Sequence, residues 1–576
     1  MEFLQGLTYK WKLNRINKYE ICKLSSDLNI LPPIASVLYS RGFINKKSAM
    51  DFLFPFYDQK IYHPSILYGA NETIERILLA IKKQQKILIC GDYDVDGITA
   101  TSLMLYGLLN CGANVNFFLP HRLKDGYGLS VRTIDRALKN KYDLLITVDN
   151  GTSAFDALLY AKKNNIDVIV TDHHQPKELP DGALHIVNPH QPACKYPFKE
   201  LAGVGVAFKI IQLLYEKLDK KIENKIYELF LLGTIADVVP LIDENRYLVN
   251  QALISLSNNE SIALSLLKSN AKITPEQTLT ATDIAFSIAP QINALGRLED
   301  PREGVLFLID DNKEKLEKIG MHLFQVNQSR KKIEKEIFEK LKEEIKKENI
   351  DPQLDGCIVR SSKSFPAGII GLIAARLCHL YGTPTCIFHE MDDGILKGSC
   401  RSINEFNIFE GLSSIDQSLV ISYGGHAMAA GISIYKDNLN AFKKAFSEKI
   451  NSTCTKEDLQ QKILIDGILE LEDINNKLWH DLKLLEPFGA SNPIPIFYIE
   501  NVYFKEISLL KDIHIKATIE SDNGNIQIIF FNKPEWFNII KENKNSKFEI
   551  IAKITQNNWN NKSKIELIGI DIKLNN

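Results

Sequence analysis

Four groups of carboxylate and imidazole donors stand out in this chain: Gly91-Asp92-Tyr93-Asp94-Val95-Asp96-Gly97, Val148-Asp149-Asn150-Gly151, Thr171-Asp172-His173-His174 and Ala236-Asp237. Each falls where a short apolar run ends. Carboxylate oxygens suit hard cations such as Mg²⁺ and Mn²⁺, and imidazole tilts a mixed set toward transition metals, so several Asp with His favour Mn²⁺ with Mg²⁺ as a substitute. Two such cations, about 3.5 to 4 Å apart and bridged by carboxylates, form a phosphoesterase centre. Asp149, alone on its strand end, is the natural bridge. No single group carries the argument, because Asp-Gly and Asn-Gly are also turn sequences. Asp92-x-Asp94-x-Asp96-Gly97 opens like an EF-hand calcium loop, but the twelfth position is Leu103 instead of Glu, and the preceding segment is strand-like. Asp237, a lone Asp near a helix end, reads locally as a surface or capping residue.

The elements that must position these donors alternate. Apolar runs at 86–90, 115–119, 144–148, 168–170 and 184–187 are separated by helix-like stretches at 99–109, 131–138 and 154–163. That order predicts a parallel sheet, whose ligands bind outside the carboxyl ends of the strands, where Asp92 to Asp96, Asp149 and Asp172 to His174 fall. A helix from about Ile226 carries Asp237 and is stopped by Pro240. The division expected is an N-terminal helical cap (1–68), a catalytic α/β domain (69–265), a helical connector (266–350) containing a long charged helix over 323–349, a second α/β domain (351–456), and a C-terminal module (457–576). Five short alternating strands in that last module suggest a small β-barrel of the OB type. The tail also offers Tyr503, Phe504, Phe530, Phe531, Trp536 and Trp559 near Lys505, His514, Lys516 and Lys533, most of them expected in the barrel core.

At 576 residues the chain is too long for one core, and 45% hydrophobic with 24% charged residues is a soluble, globular balance. No apolar run approaches the roughly 18 residues needed to span a bilayer, and Met1-Glu2-Phe3-Leu4-Gln5 does not open a secretion signal. Nine cysteines without a C-x-x-C pair suit a reducing compartment; the expectation is a cytoplasmic protein. A formal net charge of −2 excludes a globally basic nucleic-acid binder, so a polyanion must be held by a local basic groove or by bound metal.

Taken in order, the four groups resemble the DHH phosphoesterase superfamily, and Gly424-Gly425-His426-Ala427-Met428-Ala429-Ala430-Gly431 resembles the glycine-rich motif of its companion DHHA1 domain. The segments 122–129 (Arg-Leu-Lys-Asp-Gly-Tyr-Gly-Leu), Asn293-Ala294-Leu295-Gly296-Arg297, Gly398-Ser399-Cys400-Arg401-Ser402 and 485–493 (Leu-Glu-Pro-Phe-Gly-Ala-Ser-Asn-Pro) are similar to the RecJ family of bacterial single-strand-specific 5′-to-3′ DNA exonucleases, over essentially the whole chain. The resemblance implies a parallel-sheet DHH domain, a connecting helix, a DHHA1 domain and an OB-like domain. It implies that Asp94, Asp96, Asp149, His173 and Asp237 hold two divalent metal ions, with Asp92, Asp172 and His174 in the same catalytic site and His174 facing the scissile phosphate. Arg122, Arg297, Ser399 and Arg401 would contact DNA phosphates, and Gly424, Gly425 and His426 would let backbone approach the strand. Three positions depart from the family pattern: Val95 for a usual Ala, Ser491 for a usual Gly, and Gln291 where relatives commonly carry Arg. The last would remove a phosphate contact.

The function implied is hydrolysis of single-stranded DNA from its 5′ end to mononucleotides, in recombination and repair. Expected partners are single-stranded DNA, a RecQ-type helicase and a single-strand-binding protein, with no membrane, for a monomeric enzyme. Two rivals remain from the residues alone: a phosphohydrolase of small molecules or short oligonucleotides on the same metal site, and a non-catalytic nucleic-acid scaffold.

Overall fold

The apolar runs that precede the donor groups form adjacent parallel strands: β1 (Lys86–Cys90), β2 (Asn114–Phe118), β3 (Leu144–Val148), β4 (Asp167–Thr171) and β5 (His185–Val187), in the order β2-β1-β3-β4-β5. All five residues of β3 are buried, as a strand covered on both faces requires. The helix after β1, α1 (Val95–Leu109), starts earlier than the apolar pattern suggested. Asp94 is its N-cap and accepts the Gly97 N–H at 3.0 Å, so a residue read as a metal donor also ends the loop. Two further helices, α2 (Gly203–Lys217) and α3 (Asn224–Ala236), share its core through Leu103, Leu108, Leu214 and Leu232.

The computed structural model describes residues 2–14, 17–54, 61–121, 126, 128–257, 259–348, 351–521, 524–559 and 562–575. They fall into two units, one of 60–453 with 489–491 and one of 1–59 with 454–488 and 492–576. In the first, a helix of 35 residues, α4 (Lys313–Lys347), extends ten residues upstream of the predicted stretch. It is not fully solvated: Leu316 and Leu323 join the core of the first sheet, and Ile337, Phe338 and Leu341 join that of a second. This second sheet contains β6 (Ile358–Ser362), β7 (Thr385–Glu390), β8 (Ile395–Arg401), β9 (Ser422–Gly425) and β10 (Ala429–Tyr435), in the order β9-β10-β8-β7-β6, with only β6 and β7 parallel. Helix α5 (Ile370–Tyr381) covers β7 and β8.

The other unit differs from expectation at both ends. Residues 2–5 and 10–13 pair as a hairpin instead of helix, and 10–13 runs parallel to 462–465. Trp11 is fully buried and its indole N–H donates to Asp571 Oδ2 at 2.9 Å. The three helices that follow, Lys18–Leu28, Pro32–Ser40 and Lys46–Leu53, bury Ile21, Leu24, Ile34 and Leu38 in one core with Leu478, Phe497 and Ile550, so the expected cap packs with the C-terminal segment. Among the described residues the C-terminal sheet has seven strands, not five. The segment read as 502–507 is two strands, Phe497–Val502 and Phe504–Leu510, parted at Tyr503 after Asn501 turns to φ 55°. Among the described residues no pairing joins the outer strands Gly467–Ile468 and Phe504–Leu510, so the sheet does not close into a barrel. Phe504, Phe530 and Trp536 are core, while Tyr503 and Phe531 are exposed; the Trp559 side chain lies outside the described residues. No helix among the described residues is long and apolar enough to cross a membrane.

Candidate active site

The carboxyl ends of β1, β3 and β4 bring the donors together. Three sets have ligand atoms within 4.8 Å of one another: Asp92 with Asp94 and Asp149; Asp96 with His173 and Asp237; and Asp149 with His173 and His174. Asp149 and His173 are each shared by two sets, the pattern a bridged pair of cations needs. His173 Nε2 lies 3.2 Å from Asp149 Oδ1, 3.7 Å from Asp237 Oδ2 and 3.9 Å from Asp96 Oδ2. Asp149 adopts φ 62°, and with a helix starting at Phe155 the hairpin reading of Asn150-Gly151 is excluded.

Asp172 is in none of these sets and does different work. Its Oδ2 accepts the Thr152 N–H at 2.9 Å, and its Oδ1 accepts the His173 N–H at 2.8 Å and faces His174 Nδ1 at 2.7 Å. The pair fixes the His174 ring, whose side chain keeps 40% of its surface exposed.

The electrostatics follow from crowding anions in a dry pocket. Burial, then the Asp94 charge, raises the Asp96 carboxyl to about 7, against the N–H groups of Val204 and Gly203. Burial and the charges of Asp96, Asp94, Asp237 and Asp92 push Asp149 well above the carboxylate range. Burial and the charges of Asp96 and Asp94 raise Asp237 likewise, although its carboxylate keeps 24% of its surface open and feels solvent more than Asp149 does. Burial and the neighbouring His174 lower His173 to about 4. Burial works against ionised Asp172 and protonated His174, but their hydrogen bond and mutual attraction win, holding Asp172 below and His174 above their ordinary values. Among the described residues Asp96, Asp149 and Asp237 pair with no lysine or arginine, and Asp149 Oδ1 is a buried acceptor without a hydrogen bond. Buried like charges left uncompensated are costly. A divalent cation supplies what this donor set lacks.

The second group of candidates lies around β8 to β10. Arg297 donates from Nη1 to the Gly368 carbonyl at 2.9 Å. One residue earlier, a Cβ on Gly296 would meet the Tyr93 carbonyl at 2.1 Å, so only glycine allows the connector to lie on the Asp92–Asp96 loop. Arg401 Nη1 donates to Ser399 Oγ at 3.0 Å and to the Cys400 carbonyl at 2.8 Å. Ser399 is opposite Gly431, and Gly431 opposite Gly424. Positions 424 and 431 have no heavy atom within 4 Å of where a Cβ would stand, so the row is open backbone beside the Arg401 side chain. Gly425 and His426 follow on the same exposed edge. Arg122 lies outside the described residues. Gln291 is no substitute for a phosphate contact: it is 2% exposed and its amide donates to the carbonyls of Leu267 and Ser287 at 3.0 and 2.8 Å, so the position belongs to the interior.

Sequence reasoning missed the residues that brace the donors. The Gly203 and Val204 N–H groups at the start of α2 donate to Asp96 Oδ2 and Oδ1 at 2.6 and 2.8 Å, a helix N-terminus holding an anion; Ala202-Gly203-Val204-Gly205 opening an apolar helix was the available signal. Asn150 ties the ends of β1 and β3 through the Cys90 and Val148 carbonyls. Asn188 donates to the His174 carbonyl at 2.8 Å and to Thr152 Oγ1 at 3.2 Å, with no local pattern to mark it.

Comparison with known proteins adds three family matches: the DHH family N-terminal domain over residues 86–234, the DHHA1 domain over 355–452 and the RecJ OB domain over 465–571. The chain is 34% identical to the single-stranded-DNA-specific exonuclease RecJ of Bacillus subtilis, across 97% of this chain and 70% of that protein. It is 32% identical to the protein of the same description in Haemophilus influenzae, across 87% and 89%. Among solved structures, RecJ of Thermus thermophilus in complex with Mn²⁺ superposes with a TM-score of 0.82 at 26% identity, covering 98% of this chain and 79% of that one.

Proposed function

This chain belongs to the RecJ family, and we propose from that premise that it removes mononucleotides from the 5′ end of single-stranded DNA. It is a metal-dependent exonuclease specific for single-stranded DNA. The observation that carries the reading is the joint presence of the donor sets at three strand ends and the open backbone row beside Arg401. The first alone would suit a small-molecule phosphohydrolase; the second, with the OB domain, suits a polymeric strand.

Asp94, Asp96, Asp149, His173 and Asp237 would hold two divalent cations, Mn²⁺ or Mg²⁺, with Asp92 and His174 in the same site, a role supported by the Mn²⁺- and Mg²⁺-bound RecJ structures the chain resembles. Such ions supply Lewis-acid polarisation of a phosphoryl oxygen and an acidified water. Asp172 fixes the His174 ring and favours its charged form, so its Nε2–H would donate to a scissile phosphate oxygen. Arg297 and Arg401, with Arg122, would grip backbone phosphates bidentately, Ser399 adding a hydroxyl. Gly424 and Gly431 would let the strand lie against main chain, with His426 at its margin and Gly425 required by the turn itself, where a Cβ would stand 2.4 Å from the Ala429 carbonyl oxygen. Contacts of this kind read phosphate and sugar, so cleavage would be indifferent to sequence. A role in recombination and repair in the cytoplasm, with a helicase and a single-strand-binding protein delivering the substrate to a monomeric enzyme, is consistent with this reading.

End-labelled single-stranded DNA, duplex DNA and a dinucleotide, each with Mn²⁺ or Mg²⁺, provide the test. Mononucleotides released from the 5′ end of long single strands are expected, and Asp149→Ala should abolish release. Hydrolysis of the dinucleotide alone, or full activity in Asp149→Ala, would overturn the assignment.

A further inference from the structure

The tripeptide Gly489-Ala490-Ser491 takes no part in the chemistry above, yet it belongs to the same unit as the donor groups. The Ala490 carbonyl accepts the Leu241 N–H at 2.9 Å. A Cβ on Gly489 would stand 2.6 Å from Leu241 Cδ1 and 3.2 Å from its Cγ, and Leu241 is buried, at 2% exposure. Ser491 adopts φ 58°, a left-handed conformation that explains the usual glycine there. Asn492 closes the segment on itself by donating to the Leu485 and Pro487 carbonyls at 2.7 and 2.8 Å.

Leu241 is four residues beyond Asp237, and the backbone between them is strained. Asp237 caps α3, its N–H donating to Gly233 O at 2.9 Å. The next residue, Val238, is β-branched, exposed and at φ 62°, a conformation such residues avoid. Its own N–H reaches Ile235 O only at 3.4 Å. Strain of this kind persists only where the surroundings over-determine it. Two contacts do so downstream: Asn245 donates to the Pro240 carbonyl at 3.1 Å, and the 489–491 tripeptide holds Leu241.

We propose that Gly489-Ala490-Ser491 is a positioning element for Asp237: by seating Leu241 it keeps the Val238 turn closed and the Asp237 carboxylate directed at His173 and Asp96. The inference rests on the metal-site reading above. It assigns to this motif a role in metal affinity exerted through Leu241, with no contact to substrate.

The test titrates Mn²⁺ calorimetrically into the full-length wild type, Gly489→Val, Leu241→Ala and the double variant, with melting of each in chelator. Gly489→Val should bind Mn²⁺ about 10- to 100-fold more weakly, the range for displaced supporting groups, with a metal-free melting temperature within a few degrees of wild type. Leu241→Ala in the same chain, by making room, should restore affinity to within about threefold. Unchanged affinity in Gly489→Val, a lowered metal-free melting point with normal affinity, or failure of Leu241→Ala to rescue overturns the proposal. If Gly489→Val does not fold, Gly489→Ala is judged by the same criteria. Absence of Mn²⁺ binding by the wild type would instead overturn the metal-site reading.

Discussion

If the buried carboxylates are held together by a cation, its binding must expel protons, and the number follows from the site. With Asp96 at about 7, roughly nine in ten molecules carry its proton at pH 6 and roughly one in ten at pH 8. Metal ligands bind deprotonated, so Mn²⁺ should release at least about 0.9 proton per molecule at pH 6, with Asp149 and Asp237 adding to that in the same direction. His173, lowered to about 4, is already neutral and contributes none. Between pH 5 and 7 the affinity should therefore rise about tenfold or more per unit. Calorimetric titration at pH 6 in two buffers of different ionisation heat counts the protons directly. Release of none, with affinity flat in pH, would refute the account of these carboxylates as crowded acids awaiting a cation. The same shift fixes the stability of the metal-free protein. The folded pKa of Asp96 lies above its unfolded value of 3.8, so its contribution is fully present below about pH 4 and lost as pH rises to about 7, a change of about 4 kcal/mol. His173, whose folded pKa is depressed, loses its contribution as pH falls from 6.5 toward 4 and offsets Asp96 across that window. Asp149 and Asp237 then set the net sign, and the stabilisation given by Mn²⁺ should widen from pH 5 to pH 7.

Two further perturbations isolate other parts of the unit. Lys209 and Glu244 are fully buried partners, with Lys209 also donating to the Tyr62 carbonyl at 3.0 Å and Glu244 accepting from Tyr196 Oη at 2.6 Å; Lys209→Met strands the carboxylate and should cost about 3 to 5 kcal/mol in urea unfolding, most of it regained with Glu244→Gln, whereas a loss under about 1 kcal/mol would contradict the burial argument. Asp172→Asn keeps an acceptor but removes the charge that fixes His174, so kcat should fall about 10- to 100-fold while Mn²⁺ affinity stays within about threefold; equal losses in both would put Asp172 among the metal ligands.

The donor groups were legible because strand ends have a local signature: short apolar runs stop just before Asp92, Asp149 and Asp172, and a parallel sheet brings those ends together. Asp237 was not legible in that way. Its place comes from the end of α3, and only family resemblance marked it in advance. The burial of Gln291 was not legible for a related reason. The sequence lists an amide where relatives commonly carry Arg, but whether a helix position faces core or solvent depends on neighbours such as Leu267 and Ser287. The C-terminal strands were found as alternating runs but undercounted by two: the strands Phe497–Val502 and Phe504–Leu510, separated only by Tyr503, read as one, and Gly467–Ile468 is too short to show a pattern.

The hairpin at residues 2–13 finds its partners at 462–465 and at Asp571, more than 550 positions downstream in the case of Tyr9. During synthesis the segment 1–59 emerges first, yet Leu478, Phe497, Ile550 and Asp571, against which its side chains pack, are made after residue 453. At about 5 to 20 residues per second, it waits roughly 20 to 80 s for the rest of its core. The intervening 60–453 has its own cores and two sheets. Until those later segments are made, Trp11, Ile34 and Leu38 lack the residues that bury them in the finished protein.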